Sequence, residues 1–291
     1  MKFSIIIPTY HDWERLQTCL ISLERQTLPA SEFEIIVVNN APNDTPPTDF
    51  IFPANTTLLN EARPGSYAAR NRAIKEAKGE IFAFTDSDCQ PKENWLETAK
   101  DFFQKNPTVH RIGGKISLLF KSKNPTYSEI YEKAFAFRQQ DFVSKQGMAA
   151  TANMFAKRYV FEQVGLFRDD FLSGGDAEWG IRANSKGFKI QYLESCIVKH
   201  PTRNIKEIIS KAKRVAGGHF LLLHKKSTLL VIAKIALGFL PPIKSMYKIA
   251  NDLEVPLKEK LIALSIRYYL RIISTIEIFK IYFLKKTMKR N

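Results

Sequence analysis

Through the first two hundred positions, short unbroken apolar runs alternate with stretches whose apolar residues recur every three or four places. A run of four to eight such residues is short for a helix and reads as a strand buried on both faces. The three-to-four spacing reads as an amphipathic helix. The pattern predicts strands over residues 3–7, 33–38, 56–59 and 81–84. Between them it predicts a helix over 12–25, with Trp13, Leu16, Leu20 and Leu23 on one side, and another over 66–78, capped near Ser66 and stopped at Gly79. A further helix is expected over 94–105. Strand and helix alternating in this way imply a mainly parallel sheet flanked by helices.

Past residue 110 the rhythm loosens. Residues 112–120 and 149–155 read as strands around a helix over 127–143, then come a helix near 177–185 and a strand near 189–193. From Asn204 onward the periodicity is helical throughout. The expected organisation is a sheet domain over 1–203 and a helical extension over 204–291.

Charge separates the two parts. Residues 1–198 hold 24 Lys+Arg and 24 Asp+Glu, whereas 199–291 hold 20 and 5, so the extension carries the whole net charge of +15. A hydrophobic content of 45% is ample for a core and excludes disorder. Cys19, Cys89 and Cys196 are odd in number and form no CxxC pair, so neither a disulfide framework nor a zinc site is expected, and a reducing cytoplasm fits. The first apolar run is closed by Pro8 and is too short for a signal peptide.

Within the extension, residues 228–241 are strongly apolar but short and contain Lys234. Residues 261–284 are interrupted by Arg267, Arg271, Glu277 and Lys280, so neither stretch is expected to span a bilayer. On a helical wheel Arg267, Arg271, Ser274, Glu277, Lys280 and Lys285 gather on one half, opposite Ile, Leu, Phe and Tyr. That distribution predicts a helix lying in the headgroup region of an anionic membrane, with a soluble helical cap as the alternative. Nucleic acid is not an expected partner, because bulky aliphatics interleave the cations and no binding motif is present.

Candidate chemistry sits where the strands end. The run Ile81-Phe82-Ala83-Phe84 leads into Thr85-Asp86-Ser87-Asp88, two carboxylates one residue apart. At the carboxyl end of a parallel strand such a pair makes a hard oxygen site suited to Mg²⁺ or Mn²⁺; alone, it is equally good turn chemistry. Pro8-Thr9-Tyr10 ends the first strand with a hydroxyl and a flat ring, and Asn39-Asn40 ends the second with paired amides. Arg70 stands in the first turns of the helix after Arg63-Pro64-Gly65, as a phosphate ligand or a surface arginine. Downstream, Gly174-Gly175-Asp176-Ala177-Glu178-Trp179 opens a helix with two carboxylates, a general base or a helix cap. His200 is a metal ligand or a surface imidazole.

Taken in this order, the motifs resemble the family 2 glycosyltransferases, inverting enzymes of the Rossmann-like, nucleotide-sugar-binding GT-A fold. The resemblance covers about residues 2–203. It implies that Pro8, Thr9, Tyr10 and Asn40 line the nucleoside pocket, that Arg70 lies near the diphosphate and that Asp86 faces ribose and sugar. It implies a Mn²⁺ or Mg²⁺ site at Asp88 with His200, Asp176 as the base for the acceptor hydroxyl, and Glu178 and Trp179 beside the acceptor. The resemblance implies a nucleotide-sugar donor, with uracil the usual base, and an acceptor hydroxyl; the basic extension, outside the resemblance, predicts a peripheral protein at the cytoplasmic membrane face acting on a lipid-linked or membrane-proximal glycan acceptor.

Two departures stand out. Asn39-Asn40 replaces the family's usual aspartate, which leaves the base open, and Gly175 replaces an acidic residue, which leaves Asp176 or Glu178 as the general base. Asp176 is preferred because it matches the family's aspartate. Two rival classes are weaker. A nucleotidyltransferase would carry a glycine-rich basic loop after the first strand, where Pro8-Thr9-Tyr10 stands. A non-catalytic membrane adaptor would be expected to lack one of Asp86, Asp88 or Asp176, and all are present.

Overall fold

The computed structural model describes residues 2–223, 228–251 and 255–285; the stretches of the basic extension at 224–227, 252–254 and 286–291 lie outside the described residues. The chain forms two compact units, one built from residues up to Leu118 with Phe137–Asp170 and Gly175–Pro201, the other from Leu119–Ala136, Phe171–Gly174 and the chain from Thr202 on. The second unit thus draws on two segments inside the stretch read as sheet domain.

In chain order the elements run β1 (Phe3–Thr9), α1 (Trp13–Glu24), β2 (Phe33–Asn39), β3 (Thr56–Asn60), α2 (Ser66–Glu76), β4 (Ile81–Phe84), β5 (Gln90–Pro91), α3 (Trp95–Lys105) and β6 (Arg111–Leu119). After α4 (Tyr127–Phe135), which belongs to the second unit, come α5 (Gln139–Gln146), β7 (Met154–Lys157), α6 (Arg158–Val164), α7 (Gly175–Ser185) and β8 (Ile190–Pro201). The strands form one sheet in the order β3-β2-β1-β4-β7-β6-β8-β5. Phe3 pairs with both Phe33 of β2 and Ile81 of β4, all parallel, and β3 extends the parallel set. Beyond β4 the direction changes. β7 is antiparallel to β4, β6 to β7, and β5 to β8.

β1, β2 and β4 are apolar on successive residues because both sheet faces are covered. Phe3, Ile5 and Ile7 join one buried cluster with Leu16, Leu20, Ile35, Val37, Trp95 and Phe155. Their carboxyl ends, at Thr9, Asn39 and Phe84, open on one edge of the sheet, where ligands bind in open α/β folds.

Where the second half departs from the sequence pattern, the cause is local. The expected helix over 127–143 is two helices, α4 and α5. Ala136 turns extended, and Phe137 takes a φ of 46°. The Phe137 ring packs at a tilt of 44° against the His200 ring, centroids 4.4 Å apart. The strand expected over 149–155 begins only at Met154, after a tight turn over Thr151–Asn153. β8 runs to Pro201, so His200 lies in a strand and not in the loop beyond one.

The second unit also contains α8 (Ile205–Leu223), α9 (Thr228–Gly238), α10 (Ile243–Ala250) and α11 (Leu257–Phe283). Helix α11 packs on α8, α4 and α9, burying Ala263, Leu270, Thr275, Glu277, Ile278 and Ile281. This corrects the wheel reading of residues 261–284 as an interfacial helix. Glu277 from the supposed polar half is buried, while Phe279 and Phe283 from the apolar half are exposed. Arg267 lies over the Phe135 ring, and Arg271 donates to carbonyls at the end of α9. Arg267 and Arg271 thus contact groups of the unit itself. No single described helix is long and apolar enough to cross a membrane; α9 and α10 meet the composition and length together but are bent by 42°.

One buried carboxylate secures α4. Glu129 completes a capping box with Thr126 and accepts from the Lys121 N–H and the Thr202 hydroxyl. Burial alone would raise its pKa, but these donors overcome it and hold the carboxyl at about 2.

Candidate active site

The loop after β1 turns at His11, with a φ of 51°, and is tied to the loop after β2. Asp44 is the tie: its Oδ2 lies 3.0 Å from His11 Nδ1 and accepts from Trp13 Nε1 at 3.0 Å, while its carbonyl accepts from the Asn39 amide at 2.7 Å. Pro8 is half-buried, Thr9 is buried with a hydroxyl that has no hydrogen-bond partner among the described residues, and Tyr10 is exposed against the His11 ring. Asn40 donates to the carbonyls of Glu61 and Arg63 and accepts from the Gly65 N–H. Its amide therefore fixes the path of residues 61–65 into α2 and is turned to backbone on both ends.

Helix α2 carries the next two groups. Tyr67 and Arg70, three residues apart, share a helix face, and the Arg70 guanidinium sits 5.6 Å over the Tyr67 ring. Arg70 is buried and ion-paired with Asp86, yet its Nε–H has no partner among the described residues. In the other direction the Tyr67 hydroxyl donates to Asp176 Oδ1 at 2.9 Å. Burial first, and the Asp176 charge second, push the Tyr67 pKa up, so it remains an O–H donor. One helix thus joins Asp86, after β4, to Asp176 in the first turn of α7.

The third cluster comes from β5 and β8. Gln90 pairs with Lys199 and Pro91 with Val198, and the same antiparallel register brings Cys89 opposite His200. The ligating atoms of Asp88, Cys89 and His200 all lie within 4.8 Å of one another. His200 is fully buried, with Nδ1 2.6 Å from the Pro201 carbonyl and Nε2 3.3 Å from Asp88 Oδ2. When Nδ1–H donates to that carbonyl, Nε2 faces a carboxylate oxygen, a pairing that is met by a second ring proton or by a divalent ion held between the two. The set fits a divalent ion that accepts oxygen and imidazole nitrogen, as Mn²⁺ does. Cys89 is the soft donor of the set and suits such an ion least; burial and the charges of Asp88 and Asp86 push its thiol pKa up.

Glu178 and Trp179 do not face the same space as Asp176. Both oxygens of Glu178 are held by Arg182, at 2.7 and 3.0 Å, and Arg182 also donates to the carbonyls of Val164 and Leu166. Trp179 is fully buried, stacked on Phe161 with centroids 4.1 Å apart, its indole N–H on the Gly165 carbonyl. This corrects the expectation that Trp179 meets an acceptor, since the ring has no open face. Asp44, Tyr67 and Cys89 were missed by the sequence reading. For Tyr67 a signal existed in its i,i+3 spacing to Arg70.

Comparison with known proteins bears on the family and the fold. The family model described as glycosyl transferase family 2 matches residues 4–165. Glycosyltransferase AglE of Haloferax volcanii is 33% identical over 262 residues, spanning 86% of this chain and 84% of its own. A Methanococcus voltae protein, named a dolichyl N-acetyl-alpha-D-glucosaminyl phosphate 3-beta-D-2,3-diacetamido-2,3-dideoxy-beta-D-glucuronosyltransferase, is 23% identical over 76% of this chain and 74% of its own. Among solved structures, mannosyltransferase PcManGT from Pyrobaculum calidifontis, in complex with GDP-Man and Mn²⁺, superposes with a TM-score of 0.60 at 19% identity, covering 98% of this chain and 88% of that one.

Proposed function

Because this chain belongs to glycosyl transferase family 2 and has its GT-A fold, we propose that it transfers a sugar, with inversion, from a nucleotide-diphosphate donor to a hydroxyl of a glycan or lipid-linked acceptor. The carrying observation is the pair of carboxylate clusters, Asp86–Asp88–His200 and Asp176, joined through Tyr67 and Arg70. A single inverting displacement needs one cluster for the leaving group and a separate base for the acceptor.

In this reading the loops after β1 and β2 receive the nucleoside. Tyr10 offers a face for the base, and Asn40 acts through the loop it fixes. The buried, unpartnered Arg70 Nε–H favours an incoming phosphate oxygen, since leaving such a donor unmet costs about 1–3 kcal/mol. Asp88 and His200 would hold Mn²⁺ or Mg²⁺, which when bound neutralises charge on the diphosphate leaving group. Asp176 takes the acceptor proton. Tyr67 keeps one of its oxygens oriented, and Glu178, occupied by Arg182, is left as a brace for α7. A uridine donor follows the family's usual habit, while the bound GDP-Man of PcManGT is the reason to test guanosine sugars beside it. The lipid-linked acceptor, and with it a peripheral site at the cytoplasmic face, draws support from the dolichyl phosphate in the Methanococcus relative's name and from the charge of the extension.

A hydrolysis screen of UDP- and GDP-sugars with Mn²⁺, Mg²⁺ or chelator tests the reading. Turnover of one donor class that chelator abolishes is expected. Turnover unchanged by chelator would remove the metal from the scheme, and no turnover of any nucleotide sugar would remove the donor class.

A further inference from the structure

The second unit exposes large apolar side chains on several helices, and one run of them lies where α9 meets α10. Leu237, Phe239, Leu240, Ile243, Met246 and Tyr247 are each 42–74% exposed, on a bend made by Pro241-Pro242. Residues 228–251 contain three lysines, Lys234, Lys244 and Lys248, all exposed, and no acidic residue. Large exposed apolar side chains in a stretch, residues 228–251, whose only charged residues are lysines match an anionic lipid surface.

The backbone of the bend gives an independent reason. A helix ending at Gly238 leaves carbonyls that water normally satisfies. Here Arg271 donates from Nη2 to Leu237 O at 2.6 Å and from Nε to Gly238 O at 3.0 Å, and the Tyr268 hydroxyl donates to Phe239 O at 2.8 Å. The approach is close enough that a Cβ at Gly238 would stand 2.2 Å from Thr275 Oγ1. On the donor side, the N–H groups of Phe239, Leu240 and Ile243 reach Ala236, Leu237 and Pro241 carbonyls, and the two prolines have no N–H. Internal satisfaction of these groups lets the tip leave water at little cost, as an apolar medium requires.

We propose that the α9–α10 bend is the element that seats this protein in an anionic bilayer. Its apolar side chains enter the headgroup–acyl boundary, and Lys234 and Lys244 lie against lipid phosphates. The proposal rests on the membrane-proximal reading above and moves the contact from residues 261–284 to residues 237–247.

The test uses full-length protein sedimented with phosphatidylcholine vesicles, with or without phosphatidylglycerol. Wild type should bind the anionic vesicles only, and lose them in high salt. Phe239→Ser with Leu240→Ser should weaken partition on the order of tenfold or more. Phe279→Ser with Phe283→Ser on α11 should leave it unchanged. Far-UV circular dichroism and melting confirm that each variant is folded, and Leu240→Trp should show blue-shifted emission on anionic vesicles. Binding lost in the α11 pair but kept in the bend pair overturns the proposal while leaving a membrane protein. Absence of vesicle binding, with self-association that the bend pair abolishes, overturns it in favour of a second copy as the occupant. Donor hydrolysis measured without vesicles separates these outcomes from failure of the glycosyltransferase reading.

Discussion

Asp176 accepts from the Tyr67 hydroxyl and the Ala177 N–H on Oδ1 and from the Thr151 N–H, at 3.4 Å, on Oδ2, so its own helix and groups outside it together set its place. Asp176→Asn is expected to retain donor binding and lose on the order of 10²–10⁴ in kcat, since an amide cannot take a proton. Tyr67→Phe should lower kcat about tenfold at unchanged donor KM, because only the orientation of the base is lost. Gly175 is coupled to that bond. A Cβ there would come 2.8 Å from two carbons of the buried Tyr67 ring, so Gly175→Ala should reproduce the Tyr67→Phe kinetics in a steady-state comparison. Asp88→Ala should abolish metal-dependent nucleoside diphosphate binding in calorimetry while circular dichroism stays unchanged; unaltered affinity would assign the metal elsewhere. Asp86, Asp88 and Asp176 were legible in the sequence because strand ends and helix starts are local features. That Trp179 is enclosed was not legible, for its neighbours Phe161 and Gly165 belong to another element.

Among the elements, the parallel strands were readable because burial on both faces writes itself as an unbroken apolar run. β5 was not, since two residues carry no period, yet its pairing with β8 is what brings Asp88 and His200 together. The break between α4 and α5 escaped for a similar reason. Phe137 adopts its left-handed φ against a ring sixty-odd positions away, which local propensity cannot encode. Phe137→Ala is expected to weaken metal-dependent donor binding several-fold in titration calorimetry, by releasing the face of His200. The capping network of α4 predicts an acid response. The Glu129 carboxyl is held at about 2 against an ordinary 4.5, so its contribution is complete above pH 4.5 and fades as pH falls from there toward 2. Glu129→Gln should lose roughly 1–3 kcal/mol at neutral pH and show a flatter melting-temperature profile across that window.

At the scale of the whole molecule, charge and chemistry are divided between the two units. The candidate catalytic groups all fall in the first, and the cation excess lies in the chain from Lys199 on. The sequence made that division visible as a change in charge balance, though not the contribution of Leu119–Ala136 to the second unit. The Asp88–His200 contact has a consequence for how the protein is born. Asp88 leaves the ribosome with the parallel strands, whereas His200 follows roughly a hundred residues and on the order of ten seconds later at ordinary rates of synthesis. Under the proposed assignment, the strands offered to a nucleoside would be made long before the residues offered to a metal are complete. The apolar bend at Phe239 and Leu240 emerges later still. The order of translation thus places the proposed metal pair after the strands and the exposed apolar bend after every strand of the sheet.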